Sequence, residues 1–343
     1  GLAVHRACCW TRASHRNNLR GMAGSRARCA PRVFTIALLL LGLAPQARAQ
    51  SPRVDFPVTD GYVNSLSLLD GTLYLGGSFR HVGRPSGGFA AVDAATGALL
   101  PSSLRVAGQV WAAIADGAGG WYLGGYFRAV NGVARSNLAR VHADGSLDAW
   151  DPSAGSPVHA LLLVGGTVYV GGEFITLGGQ PRRCLAAVDA ASGALASWAP
   201  DPDGPVNCLA VVGSSLFAGG IFSHAAGQVR NNIAAFSTTT GALGSWNANV
   251  TGWVMCMVGK GSRLYIGGNF TEAGGQFRTN AAWVGVANAT AGSWLPEPNG
   301  VIYGIAVSGS NVYLGGEFGA VAGRARYGLA LVDGSTAIPA NSF

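Results

Sequence analysis

One hexapeptide recurs along the chain and fixes most of what it can become. Tyr74-Leu75-Gly76-Gly77-Ser78-Phe79 returns as Tyr122 to Phe127, Tyr169 to Phe174, Phe217 to Phe222, Tyr265 to Phe270 and Tyr313 to Phe318. The first glycines fall at 76, 124, 171, 219, 267 and 315, so the period is 48 residues with one interval of 47. A fixed period of this length marks a stack of supersecondary units, none of which can bury its apolar surface alone.

Each copy reads as four antiparallel strands. In copy four the first is Val206 to Val212, short and apolar. Tight turns such as Leu69-Asp70-Gly71-Thr72 and Val164-Gly165-Gly166-Thr167 lead into the second strand, their glycines supplying positive φ. After a longer loop, Cys184 to Asp189 reads as a third strand in copy three, and a fourth carries Trp198. Ser65, Ala113, Ala160, Cys208, Cys256 and Gly304 align on the first strand and are all small, as a crowded innermost strand requires. The expectation is an all-β, six-bladed β-propeller with four antiparallel strands per blade, each sheet packed on two neighbours. Asp55-Phe56-Pro57 aligns with Trp198-Ala199-Pro200 and is expected to seal the last blade, whose own fourth strand is short.

Composition supports a turn-rich β protein: 53 glycines, 49% hydrophobic and 11% charged residues among 343. The net charge of +7 belongs to the leader, because residues 1–49 hold eight arginines and no Asp, Glu or Lys. Residues 50–343 therefore carry 23 − 8 = 15 basic against 16 acidic side chains, and neither nucleic acid nor an anionic membrane is an expected partner. Arg26, Arg28 and Arg32 precede the apolar run Val33 to Ala44, followed by Ala47-Arg48-Ala49. This is the order of a secretory signal peptide, too short to span a bilayer. The expected organisation is an upstream extension (1–21), a signal peptide (22–49, opening at Met22) and one domain (50–343), secreted to a periplasmic, extracellular or cell-surface location. Cys184, Cys208 and Cys256 are too few for a disulfide scaffold and are expected as buried core residues.

The motifs Tyr-x-Gly-Gly-x-Phe, Arg-x-Asn-Leu-Ala and Val-Asp-Ala-x-Ser/Thr-Gly-Ala-Leu, with a Trp near Pro, recur through residues 55 to about 340. Copy three shows most of this in Tyr169 to Phe174, Arg182, Leu185, Val188-Asp189, Ser192 to Leu195 and Trp198-Ala199-Pro200. The repeat resembles the delta-60-type propeller repeats of secreted bacterial proteins, whose function is undefined. That resemblance implies a propeller module and no catalytic residues. Asp189 to Gly193 with Trp198 is also similar to the docking motif of quinoprotein propellers, where the tryptophan packs between blades. The copy number differs and no adjacent-cysteine pair follows the leader, so no cofactor is expected.

Antiparallel order places the long loops, from strand two to strand three and from blade to blade, at one end. A ligand site is expected there. Ligand-face candidates are His159 at the start of a first strand, Glu173, Arg182, Asp203, and the loop histidines His81 and His224. Arg135, Arg182, Arg230, Arg278 and Arg326 recur at one position and suit a carbonyl-binding role in every blade. Glu173 and Glu317 sit in opposite blades, too far apart for acid–base work. Asp201-Pro202-Asp203-Gly204 reads as a turn, no metal is expected, and no Gly-x-Ser-x-Gly, His-Glu-x-x-His or Cys-x-x-Cys occurs in the chain.

The functional expectation is a secreted, non-catalytic propeller that binds an unknown protein or glycan, or a surface structural module. The alternative is a secreted hydrolase or quinoprotein-like oxidoreductase. Convergence of three or more of His159, Glu173, Arg182 and Asp203 in one pocket would favour the enzyme.

Overall fold

A computed structural model describes residues 59–69, 72–82, 84–85, 88–93, 98 and 104–339. The expected extension and leader (1–21 and 22–49) and Asp55-Phe56-Pro57 lie outside the described residues. Those residues are all-β. No helix among them is long and apolar enough to cross a membrane.

Every copy forms an antiparallel sheet in the order first, second, third strand: in copy three Val158–Val164, Thr167–Gly172 and Leu185–Asp189. The long loop between strands two and three folds into a small hairpin, such as Thr176–Leu177 with Gln180–Pro181. In copies two and five the second strand runs on into that hairpin, as Trp121–Val130 and Arg263–Ala273. First strands of successive copies pack on one another from copy one to copy six, as sheets stacked around a common inner edge require.

Two readings change in detail. The fourth segment is no full strand; it meets the third through single bridges such as Val188↔Leu195 and Phe236↔Leu243. Pro200, which cannot donate to a ladder, then leads the chain away to the next copy. The recurring arginine fastens what the ladder does not: Arg182 Nη2 donates to Ala196 O at 2.9 Å and Arg230 Nη2 to Gly244 O at 2.8 Å. The third strand of copy three starts at Leu185, because Cys184 occupies the left-handed region at φ 55°.

The glycine pair of the hexapeptide has a packing cause. A Cβ on the first glycine would strike the next copy's first strand: at Gly124 it meets Val158 Cγ1 at 2.6 Å, at Gly171 Val206 Cγ1 at 2.7 Å and at Gly267 Ile302 Cγ2 at 2.6 Å. On the second glycine it would strike a carbonyl of its own first strand, as Gly125 against Gln109 O at 2.1 Å. Tryptophans staple the same seams. Trp150, Trp198, Trp246 and Trp294 each donate Nε1 to a turn carbonyl in the following copy, 2.7–3.0 Å away. Trp150 packs edge-on against Tyr122 of its own copy at 5.0 Å.

Copy six differs from the other copies at its outer face. Leu329 is 52% exposed, whereas its counterparts Leu138, Leu185 and Ile233 are fully buried. Among the described residues no side chain presses on Gly315, and Tyr327 is also exposed.

Candidate functional site

The first strand of every copy contains a bulge before its small residue. The register skips one residue between Val63 and Ser65, Val110 and Ala112, Val158 and Ala160, Val206 and Cys208, Val254 and Cys256, and Ile302 and Gly304. The small residue opposite the first glycine is Ala112 in copy two, not Ala113, because the turn between Ala115 and Trp121 is longer than the two-residue turn that joins Leu69 to Thr72 in copy one. A bulge re-aims one side chain. Here it re-aims Asn64, Trp111, His159, Asn207, Met255 and Tyr303, five residue types at six equivalent positions of an otherwise uniform inner strand.

Neighbouring bulge residues touch. Trp111 stacks on His159 with centroids 4.9 Å apart, and Asn207 Nδ2 donates to Val254 O at 3.2 Å and lies 3.5 Å from Met255 Sδ. Tyr126 extends the first pair by stacking on Trp111 at 6.4 Å. His159 Nε2 donates to Glu173 Oε1 at 2.8 Å, and this hydrogen bond holds the Glu173 carboxyl below its usual range against the opposing effect of burial. A row of Tyr126, Trp111, His159 and Glu173 thus crosses from copy two to copy three at the long-loop end.

Two clefts adjoin this row. One of about 630 Å³ is lined by Tyr126, Arg128, Gln109, Ser136, Ser153 and a floor including Gly108 and Gly155. The other, about 440 Å³, shares Ala107, Gly108 and Gln109 and is bordered by Ser78 and Arg80. Gln109 Oε1 accepts from Trp111 Nε1 at 2.9 Å, which turns the amide nitrogen of Gln109 away from the indole.

Sequence candidates divide between this place and others. His159 and Glu173 come together. Arg182 is engaged with the carbonyls of Pro181 and Ala196. Asp203 Oδ1 accepts from the backbone N–H groups of Ser223 and His224, and Asp203 Oδ2 lies 3.0 Å from His224 Nδ1. Burial raises the Asp203 pKa, but the His224 and Ser223 bonds outweigh it and leave it lowered. Asn299 holds Gly319 N and Ala320 N in the same way in copy six, so position 203 fastens a loop. The His81 side chain lies outside the described residues. Cys184, Cys208 and Cys256 are buried, and burial pushes the Cys184 thiol up to about 11. Among the described residues no group of three or more His, Cys, Asp or Glu could hold a metal ion.

Sequence reasoning missed Trp111, Tyr126 and Gln109. A signal was present: position 111 and its counterparts vary between Asn, Trp, His, Met and Tyr while the residues on both sides stay apolar or small.

Residues 119–149 match the model of a domain of unknown function, DUF5122, described as a β-propeller. No curated protein matches. Among solved structures the chain is similar to the computationally designed Ika8 protein, at 14% identity and TM-score 0.49 over 82% of this chain and 87% of that one. It is also similar to BamB from Moraxella catarrhalis, at 16% identity and TM-score 0.46 over 80% of this chain and 72% of that one. The Pan2 WD40 domain of Neurospora crassa follows at 10% identity and TM-score 0.48, over 74% and 75% of the two chains.

Proposed function

We propose that the chain is a secreted, non-catalytic binding module: a propeller of six blades that takes a protein or glycan partner at the long-loop end of copies two and three. The observation that carries this reading is a local break in repeat equivalence. A purely structural repeat has no need of an aromatic row at one seam, yet Tyr126 stands 59% exposed, stacked on Trp111 next to His159 and lining the larger cleft. Pockets of this volume with a few convergent polar groups are the usual form of a binding site. Closure of the ring rests on the apolar face left uncovered at Leu329, which copy one and the segment around Phe56 would cover.

The test is saturable binding of the purified chain to arrays of glycans and surface proteins, compared with Tyr126→Ala. Binding lost in the variant, with unchanged unfolding, supports the reading; equal binding by both overturns it. The His159–Glu173 pair favours a second reading, an enzyme with a carboxylate-oriented base. Release of a product from a bound glycan, abolished by His159→Ala, would establish that reading instead.

A further inference from the structure

The residues that line the two clefts carry a charge signature that the chain as a whole lacks. The described residues lining them include two arginines, Arg128 and Arg80, and no Asp, Glu or Lys. Arginine directly follows the hexapeptide's Phe only in copies one and two; Ile175, Ser223, Thr271 and Gly319 stand there in the others. Both arginines are exposed. The Arg80 backbone N–H donates to Asp60 Oδ1 at 2.7 Å, so a carboxylate borders the smaller cleft without lining it.

We infer that the two clefts together bind an acidic polysaccharide, a run of uronate sugars; this rests on the binding-module reading above. The planar fork of Arg128 suits a sugar carboxylate, pairing with it through two parallel N–H···O bonds. Tyr126 offers an aromatic face to the apolar side of a pyranose ring. Ser136 and Ser153 supply hydroxyls, and the Gln109 amide, oriented by Trp111, supplies a donor. The shared floor of Ala107 and Gly108 makes the clefts contiguous, so Arg80 can meet a second carboxylate further along the same chain. Peptide partners anchor large side chains in well-packed apolar pockets. Apart from Phe79, Val106, Phe127 and Tyr126, small or polar residues line these clefts, which favours a sugar chain over an acidic peptide.

The test is titration of the purified chain with oligogalacturonate, alongside neutral oligogalactan, sulfated galactan and oligoglutamate. The expected result is oligogalacturonate binding that weakens with salt and falls about tenfold to a hundredfold in Arg128→Gln, the loss of one charged hydrogen-bonded contact. Tyr126→Ala should weaken it similarly, while Arg183→Gln, the same charge change at an exposed site on copy three, should leave it within about twofold. Neutral oligogalactan bound in a Tyr126-dependent, Arg128-independent way would overturn the acidic class and leave the binding module standing. Preference for sulfated galactan or oligoglutamate would overturn the uronate assignment. Binding unaffected by either variant would remove the site, and no binding to any of the four probes would overturn the inference.

Discussion

The indole of Trp111 lies against the imidazole of His159 across the seam between copies two and three, with ring planes 24° from parallel. Both are bulge residues, so the contact exists only because each first strand skips one position. The same indole fixes the Gln109 amide. Trp111 therefore positions a binding group without lining the larger cleft itself. Trp111→Leu should change stability by no more than about 1 kcal/mol, as expected for a half-buried site away from the core. It should nevertheless weaken ligand binding as Gln109→Ala does. Unfolding curves and titrations of the two variants check this; binding lost in Gln109→Ala alone would contradict the positioning role.

Cys184 stands where three other copies have asparagine. Asn137, Asn232 and Asn280 adopt φ of 61–64°. Each accepts the N–H of the hexapeptide's Phe and donates to the segment leading to the next copy, as Asn280 does to Phe270 N and Pro298 O. Asparagine tolerates this backbone region better than cysteine and adds two hydrogen bonds. Cys184→Asn should raise stability by about 1 kcal/mol, and Asn232→Ala should lower it by about 2 kcal/mol. Thermal unfolding reads both; the same sign for the two would refute the argument.

Much of this was legible in advance. The repeat, the strand order, the small inner column and the carbonyl-binding role of Arg182 follow from period, alternation and donor geometry. The bulge was not, because it is defined by the partner strand: Trp111 differs from its neighbours only in lacking an opposite residue on Trp121–Val130. The fourth strand was over-read because Trp198-Ala199-Pro200 has strand composition yet turns away after one bridge. Asp203 and His224 were distinguishable as a loop fastening only once Asn299 was seen in the same geometry.

Charge also holds one hairpin. The Asp116 side chain is 1% exposed and bonds Arg140 Nη2 at 2.9 Å and the N–H groups of Ala118 and Gly120 at 2.8 Å. Burial raises its pKa, but the backbone N–H groups and the guanidinium outweigh it, and the net shift is downward. A lowered folded pKa contributes stability above the unfolded value of roughly 3.9 that is lost as pH falls through the folded one. Asp116→Asn should cost about 1–3 kcal/mol at neutral pH. The gap to wild type should narrow as pH drops below the unfolded value. A gap in urea midpoint that stays constant down to acid would contradict the assignment.

The first glycine of the hexapeptide reports on stacking. A Cβ at Gly219 would meet Met257 Cε at 2.4 Å and Val254 Cγ1 at 2.7 Å, so Gly219→Ala should cost about 1–3 kcal/mol by overpacking. If the ring closes, Val63 of copy one occupies the equivalent place over Gly315. Gly315→Ala should then cost a similar amount. A neutral Gly315→Ala would mean that this face stays uncovered in solution.

Ring closure is read most directly as the distance between spin labels at Tyr62→Cys in copy one and Trp253→Cys in copy five. Both positions are exposed, at 59% and 39%, and Cys184, Cys208 and Cys256 are buried; Cys8, Cys9 and Cys29 are replaced by serine for the measurement. With neighbouring sheets about 10 Å apart, a closed ring of six places the two sites about 17 Å apart through the seam. A peak near that distance is the predicted result. A distribution centred near about 40 Å, four sheet spacings along an open row, would contradict the account.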